Sequence, residues 1–373
     1  MSMKTERLAS LDAFRGFTIA GMILVNNPGS WTQAYPQLLH AHWNGWTPTD
    51  WIFPFFIYIG GVSMTYSMAH RVARGDSKAD LFKQVAKRAV IIFLLGLLLN
   101  LIPKFNFGTV RIPGVLQRIA ICYAISAAIM LNFSARAQAV WTASLLVFYC
   151  AVMYLVPVPG LGAGFMEPGK NLAAYIDSLF LSGHMWIQSK TWDPEGILST
   201  IPAIATALFG SLTGYLLKTE KSREEKTAWL LFAGFACLLL GGAWDWGMPI
   251  NKSLWTSSYS VFMAGWGLLF LGAFYWMMDV QGWQRWAKFF TIYGMNALAT
   301  YVLSILLMKV LLFWTVTQPD GKELAMKNVI YNVAFAPFFA SSFNSSLAFA
   351  IVYNLIIFAV AWVLWKRKIF IKI

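Results

Sequence analysis

The sequence predicts an all-α, polytopic integral membrane bundle of about ten transmembrane helices. Three observations carry that prediction. Of 373 residues, 58% are hydrophobic and only 12% charged. The mean hydropathy is +0.58. The Lys and Arg residues gather at the ends of apolar runs. A soluble core cannot absorb that much apolar surface, and a bilayer can. The net charge of +13 therefore reads as membrane topology and excludes a nucleic-acid partner.

Ten runs approach the roughly 20 residues that a bilayer requires. They are 8–28, 48–69, 85–103, 114–132, 137–156, 196–217, 226–246, 254–278, 289–316 and 345–365. No loop between them is long enough to fold alone, so 1–373 reads as a single transmembrane domain. Lys4, Arg7, Arg71 to Arg88, Arg136, Lys218 to Lys226, Arg285, Lys288 and Lys366 to Lys372 fall on one side. Fewer fall on the other: Lys104, Arg111, Lys170, Lys190, Lys252, Lys322 and Lys327. The positive-inside rule then puts both termini in the cytoplasm. Met1 to Arg7 is basic, but the run after it carries Asp12 and Arg15 and has no cleavage site, so it stays as the first helix.

The loops are uneven. The longest, 157–195, opens with a Pro/Gly cluster, holds an amphipathic stretch NLAAYIDSLF and ends in TWDPEG. Loop 317–344 is polar, then aromatic. The inner stretch 71–88 is strongly basic and reads as a solvated face on anionic lipid. Cys122, Cys150 and Cys237 lie inside apolar runs as small core residues, and no metal site is expected. The eighteen tryptophans suit interfacial belts. No internal repeat of the transporter kind is visible.

Polar residues concentrate between the first two runs. Asn26, Asn27, His40, His42, Asn44 and Asp50 stand there between long apolar stretches. A histidine takes or gives a proton near neutral pH, so His40 or His42 is a candidate base. Asp50 either orients an imidazole or caps the second helix, and Thr49 is the other cap candidate. Asn26 either donates to a developing oxyanion or marks a helix end before Pro28 and Gly29. Asp12 and Arg15, three apart in the first run, read as a structural ion pair, with donor phosphates as the sharper alternative. Gln117 and Arg118 enter the fourth run. Asp193 and Glu195 precede the sixth, where capping is the plainer role. Asn251 and Lys252 precede the eighth, and Asn296 lies in the ninth. Together they place polar groups at the outer ends of several helices, as a shared cavity requires.

Six stretches follow one another in a known order: RLASLDAFRGFTIAGMILVNN, HAHWNGWTPTDWIFPFFIYIGG, RIPGVLQRIAICYA, WDPEGILSTIPAIATALFG, INKSLWTSSY and GMNALATYVL. They resemble the transmembrane acetyltransferases typified by heparan-α-glucosaminide N-acetyltransferase, across nearly the whole chain. The resemblance implies a chain that starts directly at the catalytic core. It implies transfer of the acetyl group of cytoplasmic acetyl-CoA to the free amine of a glucosamine-type sugar on the far side. It assigns catalysis to His40 rather than His42, and sets Asn26 near the reaction centre. With Asn44 and Asp50 these form the expected catalytic group. Arg15, Gln117, Arg118, Asn251, Lys252 and Asn296 are then candidate acetyl-CoA contacts, and Trp43, Asp193 and Glu195 candidate acceptor contacts. A multi-pass protein of a bacterial inner membrane, contacting lipid and compatible with a homodimer, fits this reading. A transporter of N-acetylglucosamine or related saccharides is the rival from another class, and an O-acetyltransferase of envelope glycans a third.

Overall fold

A computed structural model describes residues 8–319 and 321–371. Lys4, Arg7 and Lys372, part of the expected charge asymmetry, lie outside the described residues. Each of the ten runs becomes helix. In chain order these are α1 (Ala9–Asn26), α2 (Ile52–Ala73), α3 (Lys78–Leu101), α4 (Val115–Asn132) and α5 (Ala135–Leu155). The amphipathic stretch of the long loop forms α6 (Leu172–Leu181). Then come α7 (Thr200–Leu217), α8 (Arg223–Asp245), α9 (Ser257–Tyr275), α10 (Lys288–Met295), α11 (Ala297–Phe313), α12 (Met326–Ala334) and α13 (Ser342–Lys366).

Eight described helices are long and apolar enough to cross a membrane, and α10 with α11 makes a ninth. The tenth expected run, α1, falls outside that set because Asp12, Arg15 and Asn26 lower its hydropathy. Two expectations need correction. The run 289–316 is not one helix: it bends by 85° at Asn296. The basic stretch 71–88 is mostly helical, because Ser77 caps α3, its Oγ accepting from Asp80 N at 3.1 Å. A short antiparallel pair, β1 (Thr315–Thr317) and β2 (Glu323–Ala325), sits with α12 in the loop read as merely polar and aromatic.

Lipid supplies no hydrophobic drive between helices, so close backbone packing has to hold the bundle. Glycine makes this possible at two crossings. A Cβ at Gly16 of α1 would stand 1.6 Å from Phe290 O, and one at Gly294 of α10 1.9 Å from Asp12 O. A Cβ at Gly61 of α2 would stand 2.0 Å from Ala207 O, and one at Gly210 of α7 1.9 Å from Tyr58 O. These four positions admit only glycine. Charge inside the bundle is paired as expected. Arg15 lies 3.2 Å from the Asp12 carboxylate and donates to Ser63 Oγ at 2.7 Å.

Successive spans alternate direction, so the loops sort to two ends. At one end Gly45 N donates to Ile250 O (2.7 Å), Ile112 N to His184 O (2.9 Å) and Trp43 Nε1 to Met166 O (3.0 Å). Four loops distant in sequence thus form one cap. At the other end Asp279 accepts from the first amides of α1, Ala9 N and Ser10 N, both at 3.2 Å. Arg223 donates to Asp279 O at 2.7 Å.

Candidate active site

The site begins where α1 ends. Asn27, not Asn26, closes that helix, its Nδ2 donating to Ile23 O at 2.7 Å. The Asn26 side chain is left exposed, lining a cavity. The following turn is pinned from outside: Lys327 Nζ donates to Gly29 O at 2.6 Å, and Gly29 N to Ser346 O at 3.1 Å.

Asp50 lies in a short 3-10 turn, Pro48–Trp51, and is fully buried. Its Oδ2 accepts from Thr47 N (2.9 Å), Ala41 N (3.1 Å) and Thr47 Oγ1 (3.2 Å). Its Oδ1 stands 2.7 Å from His40 Nδ1. A buried carboxylate is an acceptor, so we assign the Nδ1–H tautomer, which leaves Nε2 with its lone pair. Tyr259 OH donates to Asp50 O at 2.7 Å. Thr49 is not the cap; its hydroxyl donates to Gln37 O at 3.2 Å. His42 lines the same cavity.

The opposite wall comes from three other loops. Lys252 Nζ stands 3.1 and 3.0 Å from the two ring nitrogens of His40 and 4.0 Å from Asp50 Oδ1. Asn251 Nδ2 donates to Asn44 Oδ1 at 3.1 Å, so both amides tie loops together at the rim. Arg111 forks onto Asp193, Nε to Oδ2 at 2.8 Å and Nη2 to Oδ1 at 2.6 Å, and also reaches Glu195. Beneath them Asp177 of α6 accepts from Asp193 N (3.1 Å) and Ile197 N (2.9 Å). Neither Arg111 nor Asp177 stood out in the sequence. The one available signal for Asp177 was a lone acid in an otherwise apolar amphipathic stretch.

These groups enclose a cavity of about 600 Å³. Trp43, Trp186 and Trp192 form an aromatic wall, Trp43 and Trp192 meeting edge to face at 5.2 Å. Met22, Ile52, Phe53 and Val115 form an apolar floor. Asn26, His40, His42, Thr49, Arg111, Glu195, Lys252 and Ser253 are the polar residues of its lining. The His40 side chain is 46% exposed and lines this cavity. Confinement there is the first cause that lowers its basicity below the ordinary imidazole value, and the Lys252 ammonium is the second. Asp50 and Glu195 oppose both.

Other expected contacts lie elsewhere. Arg118 is buried under the DPEG turn, donating to Gly196 O (3.1 Å) and Ser199, with its guanidinium 5.1 Å from the centre of the Trp255 ring. Its Nε and Nη1, like Gln117 Nε2, have no hydrogen-bond partner among the described residues. Arg15 sits eleven residues below Asn26, about 16 Å along the helix. Asn296 corrects the expectation of an outer-end group: it lies at the opposite end. There its Nδ2 donates to Ile369 O (3.0 Å) and its Oδ1 accepts from Ile371 N (2.9 Å), which seats the C-terminal tail in the bend.

A second cavity of about 390 Å³ opens at that opposite end between α2, α3 and α4. Arg71, Lys87 and Arg88 line it with Gln84, Ser67 and Tyr123. One face of α2, with the turn before it, runs between the two cavities. Thr49 and Phe53 touch the first, Phe56, Gly60 and Ser63 continue at helical spacing, and Ser67 and Arg71 touch the second. Open space stands where a Cβ on Gly60 would be.

Fold and site together define a polytopic membrane protein with a histidine–aspartate pair in a cavity at one end of its bundle. The catalytic family of heparan-alpha-glucosaminide N-acetyltransferase matches residues 7–244, and the chain belongs to that family. It is 30% identical over 357 residues to heparan-alpha-glucosaminide N-acetyltransferase of Homo sapiens, a match covering 81% of this chain and 53% of the human protein. It is 27% identical to that of Mus musculus, with 99% and 61% covered. An uncharacterized 39.9 kDa protein in the amylase 3' region of Bacillus acidopullulyticus is 26% identical, with 62% and 65% covered. The chain thus spans little more than half the length of its two mammalian relatives. Asn251, Lys252 and Asn296 lie beyond the stretch that the family pattern matches.

Proposed function

We propose that this chain is an integral-membrane N-acetyltransferase. It moves the acetyl group of acetyl-CoA, taken from the cytoplasmic end, to the amine of a glucosamine-type sugar at the far end, in a bacterial cytoplasmic membrane. The observation that carries this reading is His40 Nδ1 held 2.7 Å from a buried carboxylate, its other nitrogen turned to a cavity that Asn26 shares. Such a ring acts as a base or a nucleophile at neutral pH. Acting as base, Nε2 takes the amine proton as nitrogen attacks the thioester carbonyl. The carbon–sulfur bond then breaks and the thiolate leaves, to be protonated. Acting as carrier, Nε2 attacks the carbonyl and the thiolate leaves; the amine then displaces the ring from the acetyl group, and the freed Nε2 takes the amine proton. In both routes the Asn26 amide is the donor available to the tetrahedral oxyanion.

The two cavities suit the two substrates. Arg71, Lys87 and Arg88 offer cations to the phosphates of the donor at the inner end. The face of α2 between the cavities, apolar or small at each step, suits an uncharged pantetheine arm. From Phe53 to Ser67 it rises about 21 Å. The three tryptophans suit the apolar face of a sugar ring.

The test is thiol release by purified protein supplied with acetyl-CoA and glucosamine. Release is expected from the wild type and lost in His40→Ala. Sugar flux in liposomes without thiol release from any amine would overturn the reading in favour of transport. Incubation with acetyl-CoA alone separates the two routes, since only the carrier route leaves an acetyl group on His40.

A further inference from the structure

Lys252 is placed by its own loop, not by the imidazole it faces. Its neighbour Asn251 is fully buried, with Nδ2 on Asn44, Oδ1 accepting from Leu254 N (2.9 Å) and N donating to Thr256 Oγ1 (3.0 Å). The residue before it is held as well, Gly45 N donating to Ile250 O at 2.7 Å. The α8–α9 loop is thus clamped to the His40 loop at the two residues that precede the lysine. A hydrogen bond to an imidazole nitrogen lies in the ring plane. An Nζ about 3 Å from both nitrogens of one ring therefore lies over its face, as a charge rather than as a donor.

A cation in that place opposes a second cation on the ring. The facing charges divide by sign. Asp50 and Glu195 favour the imidazolium, while Lys252 opposes it; Arg111 and Arg118 act on the lysine rather than on the ring, and His42 shares the cavity. Asp50 lies within reach of both the ring and the ammonium, so its charge is not available to the ring alone.

We infer that Lys252 is a positioning residue for the imidazole. It keeps His40 neutral, with its proton on the Asp50 side and Nε2 free, on the acid side of neutrality. The catalytic use of this state rests on the function proposed above; the state itself does not.

Diethyl pyrocarbonate acylates only the unprotonated ring, so its rate at His40, followed by mass spectrometry against pH, reports the ring's protonation without turnover. Lys252→Met and Lys252→Gln are expected to move the His40 midpoint upward by about one pH unit. Lys252→Arg, which restores the charge, should hold it near the wild-type position. Equal reactivity of His42 at pH 8 in all variants checks that the loop is intact. An unchanged His40 midpoint in both neutral variants would overturn the inference. Where transfer is measurable, the acid limb of kcat/KM should move with the same sign. A wild type that transfers no acetyl group defeats the proposed function, and the modification profile still decides this inference.

Discussion

Asp50 divides its two oxygens between two tasks. Oδ2 closes the turn that opens the second span, and Oδ1 holds the His40 ring. Capping and orientation looked like alternatives in the sequence, and the geometry has both. Asp50→Asn keeps the shape but puts an amide where one of those acceptors stood. We expect kcat to fall by about 10²–10⁴-fold with little loss of expression, read as thiol release. An unaltered kcat would detach the aspartate from the chemistry. Asn26→Ala should lower kcat by about 10²–10³-fold, the range for one lost oxyanion donor, with a smaller change in KM. The adjacent asparagines illustrate what sequence can convey. Either one suits a helix end, and only the fold assigns the cap to Asn27 and the cavity to Asn26.

At the scale of elements, the DPEG turn is held between Arg111 above and Asp177 below. Burial pushes the Asp177 carboxyl up from its ordinary 3.8 to about 6. The folded chain thus keeps a proton that the unfolded chain gives up between those values. The group's contribution to stability is complete below about pH 4 and is lost as the pH rises through about 6. Asp177→Asn cannot ionise, so its stability relative to wild type should improve over that interval, on the order of 3 kcal/mol. Thermal midpoints of both proteins from pH 4 to 7 check this. A constant gap would mean that the carboxyl is hydrated. The glycine crossings make a harsher prediction. Gly16→Ala puts a methyl against Phe290 O where no side chain can yield. A loss of folded yield in detergent, seen by size exclusion, is expected; wild-type behaviour would mean that α1 and α10 separate freely. Gly16 and Gly294 are ordinary apolar-run residues in the sequence, since a crossing partner leaves no local mark.

For the whole molecule, the two ends carry different chemistry. By the positive-inside rule, the tryptophan-walled cavity is expected outside and the arginine-lined one inside. Cysteine placed at Ile187, an 80% exposed residue beside the first cavity, should react with an impermeant maleimide on intact cells. Cysteine at Glu220, exposed in the α7–α8 turn, should react only after permeabilisation. The reverse pattern would invert the topology and, with it, the proposed direction of transfer.

The ten runs, the amphipathic α6 and the Asp12–Arg15 pair were legible in the sequence. A bilayer selects for length, apolarity and paired charge, and all three are local properties. The bend at Asn296 was not legible, because it is stabilised by a tail some 75 residues onward. Nor were the partners within the site. Arg111 and Asp193 stand 82 residues apart, and His40 and Lys252 stand 212 apart. Residue types and their spacing supply candidates for such a site. Which of them meet, at what distance and with what charge between them, depends on how the helices cross, and tertiary packing alone decides that.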